Sequence, residues 1–145
     1  MFTSLLLVAL QVGQGPGPAP AWNRDYYAAR SQAQVLGKPL AVFIGSGQSG
    51  WAAVCKGGEL DAEVRRLLAD DYVCVYLDAD QPEGRKLADA FEPPRLPLLV
   101  LSDRSCDYQA FRHSGAITNE TLVRTLNEYG PAGAAALAAA STCRT

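Results

Sequence analysis

Between Trp22 and Gly130 the apolar positions of this chain switch between two rhythms. Trp22, Tyr26, Ala29, Ala33 and Leu36 recur at spacings of three and four, one face of a helix that Asn23 caps at its start and Gly37 at its end. Pro39-Leu40-Ala41-Val42-Phe43-Ile44 is continuous apolar sequence of strand length, which predicts a strand covered on both faces. A glycine-rich loop at 45–50 follows. Leu60, Val64, Leu67 and Leu68 make the next helical stripe, with Asp61 as cap, and Tyr72-Val73-Cys74-Val75-Tyr76-Leu77 a second buried strand. Leu87, Ala88 and Phe91 mark a short helix after Pro82. Pro97-Leu98-Leu99-Val100-Leu101 is a third strand, Asp103-Arg104-Ser105 a turn, and 107–112 alternates as a returning antiparallel strand. Thr118 caps a last helix carrying Leu122, Leu126 and Tyr129.

The order is αβαβαββα. Parallel strands with helical crossovers, closed by a C-terminal antiparallel hairpin, predict an α/β three-layer sandwich of helices around a mixed central sheet.

Both ends fall outside that pattern. Residues 1–10 are an apolar run too short to span a bilayer, and a Pro/Gly/Ala stretch continues to Ala21. Residues 1–21 therefore read as a signal peptide or as a disordered leader; no Lys or Arg precedes the apolar run. The signal reading implies export to the periplasm or the outside, the leader reading a cytoplasmic chain. Gly130-Pro131 stops the last helix, and the Ala-rich stretch 131–145 has little surface to bury, which predicts a disordered tail. Cys143 in it is an incidental thiol or a site of intermolecular pairing.

Composition narrows the function. With 13 Lys+Arg against 15 Asp+Glu, no positive surplus is available to neutralise a nucleic-acid backbone. At 48% hydrophobic and 19% charged, the 145 residues can bury the core of one domain. The 4 cysteines (Cys55, Cys74, Cys106, Cys143) have no pair at two-residue spacing, so neither a zinc knuckle nor a dithiol motif is present. No cofactor is implied.

Gly37-Lys38-Pro39-Leu40-Ala41-Val42-Phe43, the strand around Cys74 with Asp78-Ala79-Asp80 after it, Leu87-Ala88-Asp89-Ala90-Phe91 and Leu96-Pro97-Leu98-Leu99-Val100-Leu101 follow in a telling order. With Gly115 and the helix after it, they resemble a thioredoxin-like domain over residues 22–130. In that family the proline matching Pro97 is held in a cis peptide beside the active site. The family's active segment reads Trp-Cys-x-x-Cys-Lys; its first cysteine is a low-pKa thiolate at a helix start and its second resolves the mixed disulfide. Here the segment is Trp51-Ala52-Ala53-Val54-Cys55-Lys56. The resemblance places Ala52 at the nucleophile position and Cys55 at the resolving one. The preceding strand lacks the family's buried acid, and Gly57-Gly58 break the helix that should follow, at about 2 kcal/mol relative to alanine.

Other chemistry is sparser. Gly45-Ser46-Gly47-Gln48-Ser49-Gly50 matches G-x-G-x-x-G after a strand, as in dinucleotide sites, but Asp78 follows Gly50 by 28 positions where about 20 is usual. His113, the one histidine, is expected in solvent and apart from Cys55. Asp78 and Asp80 serve as metal ligands or, more simply, as turn and cap residues. Glu59, Asp61, Glu63, Arg65 and Arg66 read as a solvated helix face. Cys74 is expected as an apolar filler, and Cys106, after a turn, as more exposed.

The sequence thus predicts a binding or structural module without dithiol chemistry, its contact surface at Trp51, Ala52, Leu96 and Pro97 together with the loop at 45–50, and its ligand an extended peptide or another protein. The alternatives are a monothiol oxidoreductase using Cys55 and, behind it, a dinucleotide-binding fragment.

Overall fold

The structure, a computed structural model, describes residues 19–130. The expected leader, apart from residues 19–21, and the expected Ala-rich tail with Cys143 lie outside the described residues.

Helix α1 (Tyr26–Leu36) leads into β1 (Leu40–Gly45), a short 3-10 helix (Gly50–Val54), α2 (Ala62–Asp71) and β2 (Val73–Asp78). Helix α3 (Pro82–Ala90), β3 (Leu98–Ser102), β4 (Gln109–Ser114) and α4 (Asn119–Tyr129) complete the order. The sheet runs β2-β1-β3-β4. Only β1 and β2 are parallel; β3 runs antiparallel to β1, and β4 antiparallel to β3.

Strand alternation sorts the core into two layers. Ala41, Phe43, Cys74, Tyr76, Leu99 and Leu101 face α2 and α4, where Val64, Leu68, Leu122 and Leu126 meet them. Val42, Ile44, Val75, Leu77, Leu98 and Val100 face the other way, onto Ala29 and Ala33 of α1 and Ala88 of α3. Every residue of β1 is buried, as its unbroken apolar run requires. Among the described residues no helix is long and apolar enough to cross a membrane.

Three details depart from the sequence reading. The cap of α1 is Asp25, whose carboxylate accepts from the Ala28 N–H at 3.1 Å, and not Asn23. Asn23 instead extends the sheet: its N–H donates to Cys74 O at 3.0 Å, and its C=O accepts from Tyr76 N at 2.9 Å. The unpaired edge of β2 offers these partners, so pairing replaces one more helical turn and carries Trp22 onto Phe43, ring centroids 4.8 Å apart. Cys106 is buried, only 5% exposed, because the hairpin turn folds back on α1: Arg30 Nε donates to Cys106 O at 3.1 Å, and the thiol reaches Lys38 O. That turn, closed by Asp103 N–H to Tyr108 O, also delays β4 to Gln109.

Candidate functional site

The stretch between β1 and α2 carries the chemistry-bearing residues. Gly45 ends β1 in a tight corner, where a β-carbon would stand 2.8 Å from Gly50 O. The loop after it is tied down from β2. Asp78 Oδ1 accepts from Gly47 N and from Asp80 N, both at 2.9 Å, and the Tyr76 hydroxyl donates to Gly47 O. The following five residues wind as a 3-10 helix, after which the chain becomes extended. Cys55 forms a bridge with Ile117, flanked by Ile117 N–H to Val54 O at 2.7 Å and Lys56 N–H to Ile117 O at 2.8 Å. Gly57 and Gly58 then take positive φ, 95° and 74°, a left-handed pair that prevents any α-helix from starting at Cys55.

This geometry decides the state of the thiol. Cys55 is 1% exposed within the α2/α4 core layer, and its pKa is pushed up to about 11, first by burial and then by the negative charge of Asp61. Thiolate activation asks for a helix start or a neighbouring cation. Asp61 supplies the opposite sign, and Lys56, the cation expected from the sequence, is exposed and does not lower the thiol. Cys74 is an apolar filler on β2; burial pushes it to about 12, and its Sγ donates to Leu68 O. Cys55, Cys74 and Cys106 are all free.

Beside this stretch lies a cleft of about 210 Å³ lined by Gly45, Ser46, Gly50, Ala53, Leu96 and Pro97. The Leu96–Pro97 peptide is cis. Pro97 O accepts from Gly115 N at 2.8 Å, whereas neither backbone group of Leu96 is hydrogen-bonded among the described residues. Trp51, next in sequence to the lining Gly50, stacks on Trp22, centroids 5.3 Å apart at 25°. Of the sequence-predicted binding residues, Leu96 and Pro97 line the cleft directly. Trp51 and Ala52 are half-buried next to it, and Ala53 is the alanine on its wall.

No protein-family model and no curated protein sequence matches the chain. Solved structures do. A thioredoxin from Thermus thermophilus superposes with a TM-score of 0.58 at 23% identity, covering 76% of this chain and 86% of that one. DsbH oxidoreductase gives 0.62 at 17% identity over 83% of this chain and 91% of its own. The C-terminal domain of Neisseria meningitidis DsbD in its oxidised form gives 0.52 at 14% identity, covering 75% and 99%. The fold is thioredoxin-like.

Within this thioredoxin-like frame the remaining sequence candidates find ordinary places. His113 pairs with Leu99 in the β3–β4 ladder, and no hydrogen bond joins it to Cys55. Asp78 holds the glycine loop, and among the described residues no group of three His, Cys, Asp or Glu side chains is placed to hold a metal. Two glycines of the G-x-G-x-x-G stretch, Gly45 and Gly50, serve close packing, a β-carbon on Gly50 colliding with the Tyr76 hydroxyl, while Gly47 takes a positive φ of 86° in open space. The Gly47 N–H is bonded to Asp78, and no α-helix follows to present amides to a pyrophosphate. Glu63 and Arg66 pair on the exposed face of α2, as a solvated face should. The loop at 45–50 that the sequence grouped with Trp51 and Pro97 supplies Gly45, Ser46 and Gly50 to the cleft, whereas Ala53, a small side chain opposite a proline, was not foreseen.

Proposed function

We propose that residues 22–130 form an exported thioredoxin-like module that binds an extended segment of peptide or protein at the Pro97 cleft, without dithiol exchange. The observation that carries this reading is the composition of the cleft. Its walls are Ser46, Ala53, Leu96 and Pro97, with no sulfur among them, while the one sulfur of the neighbouring segment is buried behind a bridge to Ile117. A ligand strand has backbone partners at hand in the unpaired N–H and C=O of Leu96. Export rests on the apolar run of residues 1–10.

A thiol-reactive chromophore and a disulfide substrate test the chemistry. Cys55 is expected to react only after denaturant is added, and the native protein to leave insulin disulfides intact. Rapid labelling of native Cys55 together with turnover would establish the monothiol enzyme instead. Binding is tested by titrating a library of unstructured peptides while following Trp51 fluorescence. Ser46→Trp, which fills the cleft from an exposed position, should abolish the response without lowering stability.

A further inference from the structure

A second cavity lies on another side of the glycine loop and shares no lining residue with the Pro97 cleft. It measures about 450 Å³, a size typical of small-molecule sites. It opens at the outer side of the edge strand β2, where that strand exits into α3. Its walls are fixed before any ligand arrives. Gly84 of α3 sits so close to the Asp78 backbone that a β-carbon would collide with Asp78 O, and Asp78 in turn clamps Gly47 and Asp80.

The groups facing this cavity are opposite in sign and do not satisfy one another. Arg24 enters from the segment before α1, and Glu83 from the first turn of α3; among the described residues neither side chain forms an ion pair or a hydrogen bond. A glutamate in a first helical turn is explained by the helix dipole alone. Arg24, exposed on the opposite side of the same cavity, leaves a guanidinium available to a ligand. Gln48 and Gln81 add two side-chain amides without hydrogen-bond partners among the described residues; Gln81 holds the N-cap position of α3 and makes no capping bond. Tyr76 donates its N–H outward to Asn23, and a strand residue points its N–H and C=O to the same side, so its C=O also faces this outer edge.

A simple anion is opposed by Asp78 and Glu83, and a simple cation by Arg24. A ligand carrying both charges with an amide between them meets every group. We propose that this cavity binds a small zwitterionic peptide of dipeptide size, its carboxylate toward Arg24, its ammonium toward Glu83 and Asp78, and its peptide group read by Gln48, Gln81 and the Tyr76 carbonyl.

The probe is alanylglutamine free at both ends, titrated into the ¹⁵N-labelled full chain, with the N-acetylated, C-amidated dipeptide as control. The free dipeptide should shift the amide signals of Gln48, Glu83 and Gly84 saturably at millimolar concentration. Arg24→Gln and Glu83→Gln should each weaken it about fivefold, the upper range for a solvent-accessible charge pair, and the capped control should bind more weakly than either variant binds the free form. Both substitutions are at exposed positions, so an unchanged melting temperature verifies their folding. Absence of saturable shifts, equal binding of the capped dipeptide, or shifts centred on Ser46, Ala53 and Leu96 would overturn the assignment.

Discussion

The two stretches that meet at the Pro97 cleft are built on different plans. From Leu96 to Tyr129 the chain makes a strand hairpin and a helix that supply much of the core: β3 is buried throughout, and α4, capped by Thr118, contributes Leu122 and Leu126. From Gly45 to Gly58 it makes a clamped loop, five residues of 3-10 helix and a left-handed glycine pair, with Val54 and Cys55 the buried anchors after the loop. The first stretch supports the sheet. The second is held by β2 through Asp78 and Tyr76 and by the β4–α4 connection through Ile117. The segment can therefore change its side chains while the scaffold persists.

The sharpest way to break the comparison is to cut one residue from each stretch. Leu122 is 0% exposed, and Leu122→Ala should cost about 2–5 kcal/mol by urea denaturation, transfer energy plus cavity. Ser46→Ala, at an exposed loop position, should change stability by no more than about 0.5 kcal/mol. Equal losses would mean that the loop carries the fold after all.

Gly50→Ala probes the clamp between the stretches. The new methyl meets the Tyr76 hydroxyl, which must abandon Gly47 O, and a loss of about 1–3 kcal/mol is expected. Tyr76→Phe in the same background should recover part of it, because removing the hydroxyl removes the collision.

The buried thiol gives a pH signature. Cys55 is held at about 11 in the folded chain against an ordinary value of 9.0, so the unfolded chain loses its proton first. Stability from this group is whole below pH 9 and declines as pH rises toward 11; Cys74, at about 12, prolongs the decline. Tyr72, likewise held up by burial, acts in the same direction at higher pH. Denaturation midpoints measured across this alkaline range should fall, and Cys55→Ala should flatten the first part of the curve. A thiol activated as in a dithiol enzyme would give the opposite sign.

Much of this architecture was legible in the chain. Unbroken apolar runs such as Leu40-Ala41-Val42-Phe43-Ile44 fix buried strands by length alone, and Thr118 with Leu122 and Leu126 fixes a capped helix. What the residues could not disclose were contacts set by tertiary partners. Trp22 and Asn23 fit a helical period, yet the open edge of β2 took them. Cys106 follows a polar turn, yet Arg30, 76 positions earlier, draws it inside. At the candidate site the missing cysteine and Pro97 were readable, whereas the depth of Cys55 depended on Ile117, which no local pattern links to it.

The smallest effect separates the two stretches by their helix starts. Thr118 accepts a hydrogen bond from Thr121 N at 3.2 Å, satisfying one of the orphan donors of α4. Thr118→Ala should therefore cost about 1 kcal/mol. Ser49 holds the equivalent place before the 3-10 helix and is as good a capping residue by type, but its side chain makes no capping bond, its backbone lying at φ −115° and ψ 22° rather than in the extended region. Ser49→Ala should leave the melting temperature unchanged within error. Since both residues are strong cap formers in isolation, a difference between the two substitutions reports backbone geometry, not residue type; equal losses would show that the segment after β1 starts as a true helix, and would reopen the question of a dipole aimed at Cys55.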